Sequence, residues 1–157
     1  MTDFENDVFQ LIINHQSHAL EELKGTLEEE LVDLEGRSPL QIAMAYKNLE
    51  VCDFLIKNLD NLDHQDFAGL SALHFAAAHD DLRHTKLLLS HRANINISDV
   101  HGNAPLWTAV LKPYINYELV SELINGGANW NLKNLYSLSP LDMAVRKEDS
   151  TLLELFS

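Results

Sequence analysis

Gly36, Gly69 and Gly102 stand 33 residues apart, and their surroundings repeat with them. Each is followed three positions on by Pro39, Ala72 or Pro105, and seven positions on by Ala43, Ala76 or Ala109. A looser fourth copy begins 35 residues later, with Ser137, Pro140 and Ala144 in the same places. A unit of this length cannot bury a hydrophobic face alone, so the copies must stack and build one core between them. The chain is thereby restricted to a stacked helical array, which far more often presents a binding surface than a catalytic centre.

The recurring residues have local physical jobs. Asp-x-x-Gly closes a tight turn, with Asp accepting from nearby backbone N–H groups and Gly taking a positive φ without steric cost. Ser38, Ser71 and Ser139 stand where a helix begins, and Pro39, Pro105 and Pro140 fit there because the first helical N–H groups lack partners. Ala76 and Ala77 let a first helix approach its neighbour closely. Second helices supply bulk at intervals of three and four: Val51, Phe54 and Leu55, then Leu87 and Leu88, then Leu119, Val120, Leu123 and Ile124. Gly127 is placed as a left-handed helix stop. Arg92 holds the equivalent place, so that turn costs about 1 kcal/mol or takes another geometry.

Two copies read DFAGLSALHFAAAHDDLRHTKLLLSHRANINIS (66–98) and DVHGNAPLWTAVLKPYINYELVSELINGGANWNLK (99–133). They resemble the ankyrin repeat, with its D-x-x-G-x-T-P-L-H-x-A-A opening, a second helix ending in L-L, and a G-A-D/N-x-N exit. The resemblance covers residues 33–157. It implies an all-α, ankyrin-repeat solenoid of stacked helix-turn-helix units with hairpin-like connecting fingers. On this reading residues 1–157 are one domain. Residues 33–65, 66–98 and 99–133 are repeats, and 134–157 are a C-terminal cap repeat that swaps the turn pair for Asn134 and Ser137. Residues 1–32 form a degenerate N-terminal cap of two short helices meeting near Gln16, with an acidic patch at Glu28–Glu30. Departures from the pattern are the missing G-A-N exit at Leu59–Leu62, Trp107 in place of the usual His, and an insertion carrying Pro113, Tyr114 and Tyr117.

Composition bears on the partner. Eleven basic residues against 24 acidic give a net charge of −13, which disfavours nucleic acid and anionic membranes. The same acidity either steers a basic protein partner or simply keeps the chain dissolved. The opening MTDFEND has no secretory character, no run is long enough to span a bilayer, and the single Cys52 implies no disulfide framework. These features predict a cytoplasmic, monomeric protein.

Eight histidines raise the question of chemistry. His74, in Ser71-x-x-His74, is expected to tie the turn to the helix. His79 and His84 are five apart across a turn, a poor metal spacing, and His15 and His18 straddle another. There is no Gly-rich phosphate loop, G-x-S-x-G or H-E-x-x-H. No catalytic residue, cofactor or metal is therefore assigned.

What the resemblance does imply is a concave face lined by fingers and first helices, open to a protein partner. Transferred position by position, the candidate contact residues are Glu35, Arg37 and Tyr46; Phe67, Leu70 and His79; Val100, His101, Asn103 and Lys112; and Tyr136 and Leu138. Trp107 joins them either as an anchor on that face or as packing beneath the fingers, whereas Trp130 reads as packing. Small stand-alone bacterial ankyrin proteins of this style are often immunity proteins that bind and block a toxin domain. The resemblance therefore implies an immunity protein against a basic toxin, for instance a nuclease; the alternative is an adaptor or regulator of an endogenous complex.

Overall fold

Four Asx side chains set the rhythm of the molecule. Asp33 Oδ1 accepts from the N–H groups of Glu35 and Arg37, both at 2.9 Å. Asp66 does the same for Ala68 and Leu70, Asp99 for His101 and Asn103, and Asn134 for Tyr136 and Leu138. Each turn is closed behind by a hairpin-like backbone bond, Asp66 N–H to the Leu70 carbonyl (3.1 Å) being one. The four fingers of this computed structural model, which describes residues 3–14 and 31–157, are thus copies of one side-chain-templated turn.

Each finger delivers the chain to a helix start. The described helices are α1 (Asp3–Ile13), α2 (Pro39–Ala45), α3 (Leu49–Asn58), α4 (Ala72–Ala78), α5 (Leu82–Ser90), α6 (Pro105–Leu111), α7 (Tyr117–Asn125), α8 (Pro140–Lys147) and α9 (Ser150–Leu155). First helices α2, α4, α6 and α8 stack in one row and second helices α3, α5, α7 and α9 in another, with α1 on the N-terminal side of α2. The core runs between the rows through Leu40, Leu55, Leu73, Leu88, Leu106, Leu123 and Leu152, all fully buried. Full burial of one such side chain contributes about 1.5–3 kcal/mol. The all-α solenoid expected from the repeat is what the described residues form. The second helix proposed for the N-terminal cap and the acidic patch at Glu28–Glu30 lie outside the described residues.

The residue three after each N-cap determines how well the first helix is tied in. Ser71 N–H donates to His74 Nδ1 (3.1 Å), which leaves Nε2–H to donate to the Asn103 carbonyl of the next finger (3.0 Å). Burial pushes His74 below the ordinary histidine pKa, consistent with this neutral tautomer. Gln41 does equivalent work in the first repeat, accepting from Ser38 N–H (2.7 Å) and donating to the His64 and Leu70 carbonyls. In the fourth, Asp142 accepts from Ser139 N–H (2.8 Å) but reaches no further repeat in these bonds. The third repeat has Ala104 and Trp107 at the two places, and its helix has no side-chain cap.

Helix exits follow local chemistry. After α7, Gly127 (φ 96°) donates to the Ile124 carbonyl and Ala128 to that of Leu123, a complete left-handed stop. Arg92 adopts the same conformation after α5 (φ 66°), with its N–H on Leu89 and that of Ala93 on Leu88. The chain therefore keeps the glycine geometry and accepts the strain. Ser137 likewise takes the turn position of Gly36, Gly69 and Gly102 at φ 59°. Arg92→Gly is expected to stabilise the fold by about 0.5–1 kcal/mol, the left-handed penalty less the extra chain entropy of glycine. Chemical denaturation of the single variant would reveal it, and no gain would mean the arginine side chain offsets its strain by another contact. After α3, which has no Gly, Leu59 passes directly into extended backbone (φ −90°, ψ 137°).

Candidate functional site

Adjacent fingers are bonded edge to edge. Phe67 N–H donates to the Glu35 carbonyl (3.1 Å), Val100 N–H to Ala68 (3.1 Å), and Leu135 N–H to His101 (2.9 Å). The donor in each bond is the first residue of its fingertip, so backbone pairing fixes the spacing of the tips. Those tips carry large apolar side chains facing water: Leu34 is 85% exposed, Phe67 76%, Val100 53%, Leu135 75% and Tyr136 68%. Four successive turns thus display one continuous row of hydrophobic groups on a backbone that is already ordered.

Of the candidate contact residues, Glu35, Tyr46, Phe67, His79, Val100, His101 and Tyr136 are exposed. His101 and Tyr136 stack, ring centroids 6.5 Å apart. Leu70 and Leu138 are half-buried. Arg37 is committed within its own finger, to Asp33 (2.7 Å) and Glu35 (3.0 Å). The desolvation of Asp33 works to raise its pKa, but the Arg37 and backbone hydrogen bonds outweigh it and hold the carboxyl below its ordinary value. Asn103 is also spoken for: its amide nitrogen donates to Asp99 Oδ2 (3.2 Å) and its oxygen accepts from Asn134 Nδ2 (2.9 Å). Both residues shape the fingers before they can meet anything else.

Trp107 does not reach the surface as an anchor. It is 7% exposed, because it occupies the inward-facing helix position that Gln41 and His74 fill in the earlier repeats. Trp130, half-buried, stacks parallel on Phe156 with centroids 6.1 Å apart, the packing role the sequence suggested.

Beyond the fingers, Lys112 donates to Asp80 and to the Ala78 carbonyl (3.2 Å) of the preceding repeat. Lys147 repeats that arrangement one unit later, on the Val110 (2.8 Å) and Lys112 (3.2 Å) carbonyls. Each lysine places its positive charge at the C-terminal end of the helix before it, where the helix dipole favours a cation. Between them the insertion projects Pro113 and Tyr114, the latter 88% exposed, while Tyr117 OH returns to Asp149 (3.0 Å). Burial, then Lys47 and Lys112, push His79 below the ordinary histidine pKa, so this side chain is neutral near pH 7.

Sequence reasoning missed two features. Lys47, Asp80 and Glu148, at the turns between first and second helices, all have positive φ (54–57°), and nothing in their residue types announces it. The second is His84, which is fully buried. It was weighed only by its distance from His79, although alignment of the copies puts it level with Val51, Leu119 and Leu152, three buried apolar residues. A histidine in an otherwise apolar register was the available signal.

Among the described residues no group of three or more His, Cys, Asp or Glu side chains converges as a metal site, and no helix is long and apolar enough to cross a membrane.

Comparison with known proteins gives a consistent picture. The family model of ankyrin repeats (three copies) matches residues 4–99 and 44–134. Inversin of Canis lupus familiaris is 30% identical over 131 residues, which are 80% of this chain and 12% of inversin. The B-cell lymphoma 3 protein homolog of Mus musculus is 30% identical over 121 residues, 76% of this chain and 27% of the homolog. The probable 26S proteasome regulatory subunit p28 of Saccharomyces cerevisiae is 27% identical over 128 residues, 78% of this chain and 55% of p28. In each case this chain corresponds to only part of the relative. The first match begins at residue 4, inside the segment read from the sequence as a degenerate cap.

Proposed function

The chain belongs to the ankyrin-repeat family, and from that premise we propose that it is a non-catalytic protein-binding module whose fingertip row grips a protein partner. The observation that carries this reading is the row itself. Leu34, Phe67, Val100, Leu135 and Tyr136 stand exposed on consecutive fingers whose backbones are bonded together. Ordering such a surface in advance removes much of the entropic cost of docking, and large aromatic groups are the usual carriers of binding energy. Members of the family serve protein–protein interaction, which supports the same conclusion.

In its fuller form the proposal is a cytoplasmic, monomeric bacterial immunity protein that binds a basic toxin domain and blocks its active site or substrate entry. The net charge of −13 supports a basic partner through long-range steering. Asp33, Asp66 and Asp99 spend one carboxylate oxygen each on the finger turns, so exposed acids such as Glu35, Glu118 and Glu154 would do the steering. A second reading, an adaptor or regulator in an endogenous complex, is favoured by the resemblance to p28, which by its name is a regulatory subunit.

A pull-down with the tagged chain from its native host, at low and then moderate salt, separates the two. Recovery of a basic toxin domain that survives moderate salt, followed by inhibition of that toxin in vitro, supports immunity. Recovery of a housekeeping assembly, or failure to bind and inhibit a toxin encoded next to this gene, moves the assignment to the adaptor.

A further inference from the structure

His84 is the buried titratable group that neither the fingers nor the helix stack accounts for. Its slot in the other repeats holds Val51, Leu119 and Leu152, so an imidazole here replaces apolar packing with polar contacts. Two carboxylates meet it. Asp81, the N-cap of α5, accepts from the His84 backbone N–H through Oδ1 (3.0 Å) and from ring Nδ1 through Oδ2 (2.6 Å). Asp53, on α3 of the preceding repeat, brings Oδ1 to 3.3 Å from ring Nε2. That Asp53 oxygen is buried and, among the described residues, has no hydrogen-bond partner.

The protonation state of Nε2 decides what this junction can do. With a single proton on Nδ1, the ring donates to Asp81 alone. Nε2 then accepts from Arg83 Nη1 (3.0 Å), and Asp53 is held through its other oxygen by Arg83 Nη2 at the surface. With a second proton, Nε2 gives up the bond from Arg83 Nη1 and becomes a donor 3.3 Å from the orphan Asp53 Oδ1, off the line of a hydrogen bond until the ring or the carboxylate turns slightly. The ring then ties its own repeat to the one before it. A buried acceptor without a donor is costly, so the donor that Asp53 Oδ1 gains is set against the Arg83 bond that protonation removes.

We propose that His84 is a proton-operated clasp between the first and second repeats, closing onto Asp53 and Asp81 when Nε2 is protonated and opening when it is not.

The groups facing this ring can be set out element by element. On α5 and its cap they are Asp81 and Arg83; on α3 it is Asp53, on which Lys57 acts, and buried Cys52 next to it feels the same two carboxylates. On the other side of α5, Glu122 of α7 lies 3.8 Å from Lys86. Asp80, in the α4–α5 connection, is engaged by Lys112 of the next repeat. Burial opposes a charge on His84, but the Asp81 hydrogen bond and charge, with Asp53 behind them, outweigh burial and the repulsion of Arg83 and hold its pKa above the ordinary value. The sign follows. A raised folded-state pKa gives stability that is complete below the unfolded-state value near 6.5 and is lost as pH rises through the folded value. Buried His74 and exposed His79 are shifted the other way and lose stability as pH falls. The clasp must therefore be read locally and not from a whole-protein melting curve.

Hydrogen exchange on the free protein at pH 6 and pH 8.5, corrected for intrinsic chemistry, tests this. Because interfaces in a stacked array act between nearest neighbours, the effect should be confined to one junction. Amides of α3 and of the first finger are expected to open several-fold more readily at pH 8.5, relative to those of α7 and α9. In His84→Leu, which matches the residue of later repeats, this difference should vanish; in Asp53→Asn it should shrink. Proton NMR should show His84 titrating above the ordinary histidine range. A His84 that titrates at or below that range, or an unchanged pH response in folded His84→Leu, overturns the clasp. If His84→Leu fails to fold, the NMR titration of the wild-type ring and the Asp53→Asn exchange decide alone. The readout involves no partner, so it stands or falls separately from the binding assignment.

Discussion

Gly69→Ala is expected to lower stability by about 3 kcal/mol, whereas Gly127→Ala at a similar backbone conformation should cost about 1 kcal/mol. Both residues have positive φ, 77° and 96°, so both variants bear the left-handed penalty. They differ in what a new methyl group meets. At Gly69 it would lie 2.7 Å from the Val100 backbone nitrogen and 2.9 Å from two Asp99 backbone atoms; at Gly127 nothing lies within 4 Å. The Val100 N–H is the donor that joins the second and third fingers, so relief of the clash loosens that bond as well. Gly36→Ala falls between them, at about 1–2 kcal/mol, because the atoms nearest its methyl belong to the Phe67 ring, a side chain that can swing aside. Melting temperatures should rank in the same order, with Gly69→Ala down by roughly 6–12 °C. If Gly69→Ala and Gly127→Ala proved equal, turn conformation alone would explain the glycine, and the fingers would not be held by their close approach.

That contrast shows which parts of this fold can be read from the sequence. The period was legible because the same short-range chemistry is written out each time: Asp66 bonds its own turn, Ser71 and His74 bond each other, and Gly69 supplies the bend. Such contacts span two to four residues, so their residue types suffice to predict them. Long-range assignments were not legible in the same way. Asn103 looked free to meet a partner, but Asn134, 31 residues on, claims its oxygen. The insertion lysine, Lys112, is claimed by Asp80 across 32 residues. Trp107 was undecided because a helix position can face the core or the concave side, and only the stacking of α6 between α4 and α8 turns it inward. His84 was visible in principle, since one polar residue in a slot shared with Val51, Leu119 and Leu152 is an anomaly of alignment, not of motif.

Replacing Phe67 and Tyr136 together with serine is expected to weaken partner binding at least about 30-fold, roughly 2 kcal/mol, while leaving the fold intact. The two side chains crown the second and fourth fingers, and neither is part of the buried core. Phe67 lies over Gly36 and Tyr136 stacks on His101, but both side chains are largely exposed, so the loss in unfolding free energy should stay within about 1 kcal/mol. Serine is preferable to aspartate here, because added negative charge would change steering as well as contact in a chain already at −13. Titration calorimetry against the partner recovered by pull-down, paired with thermal unfolding of the free variant, gives both numbers. Tyr114→Ser supplies the control, since that ring is the most exposed aromatic of the described residues and sits on the insertion away from the fingers. An unaffected fingertip variant beside a damaged Tyr114→Ser would transfer the binding surface to residues 112–117. A fingertip variant that unfolds would instead show that the row holds the array together, and the apolar tips would then be explained without any partner.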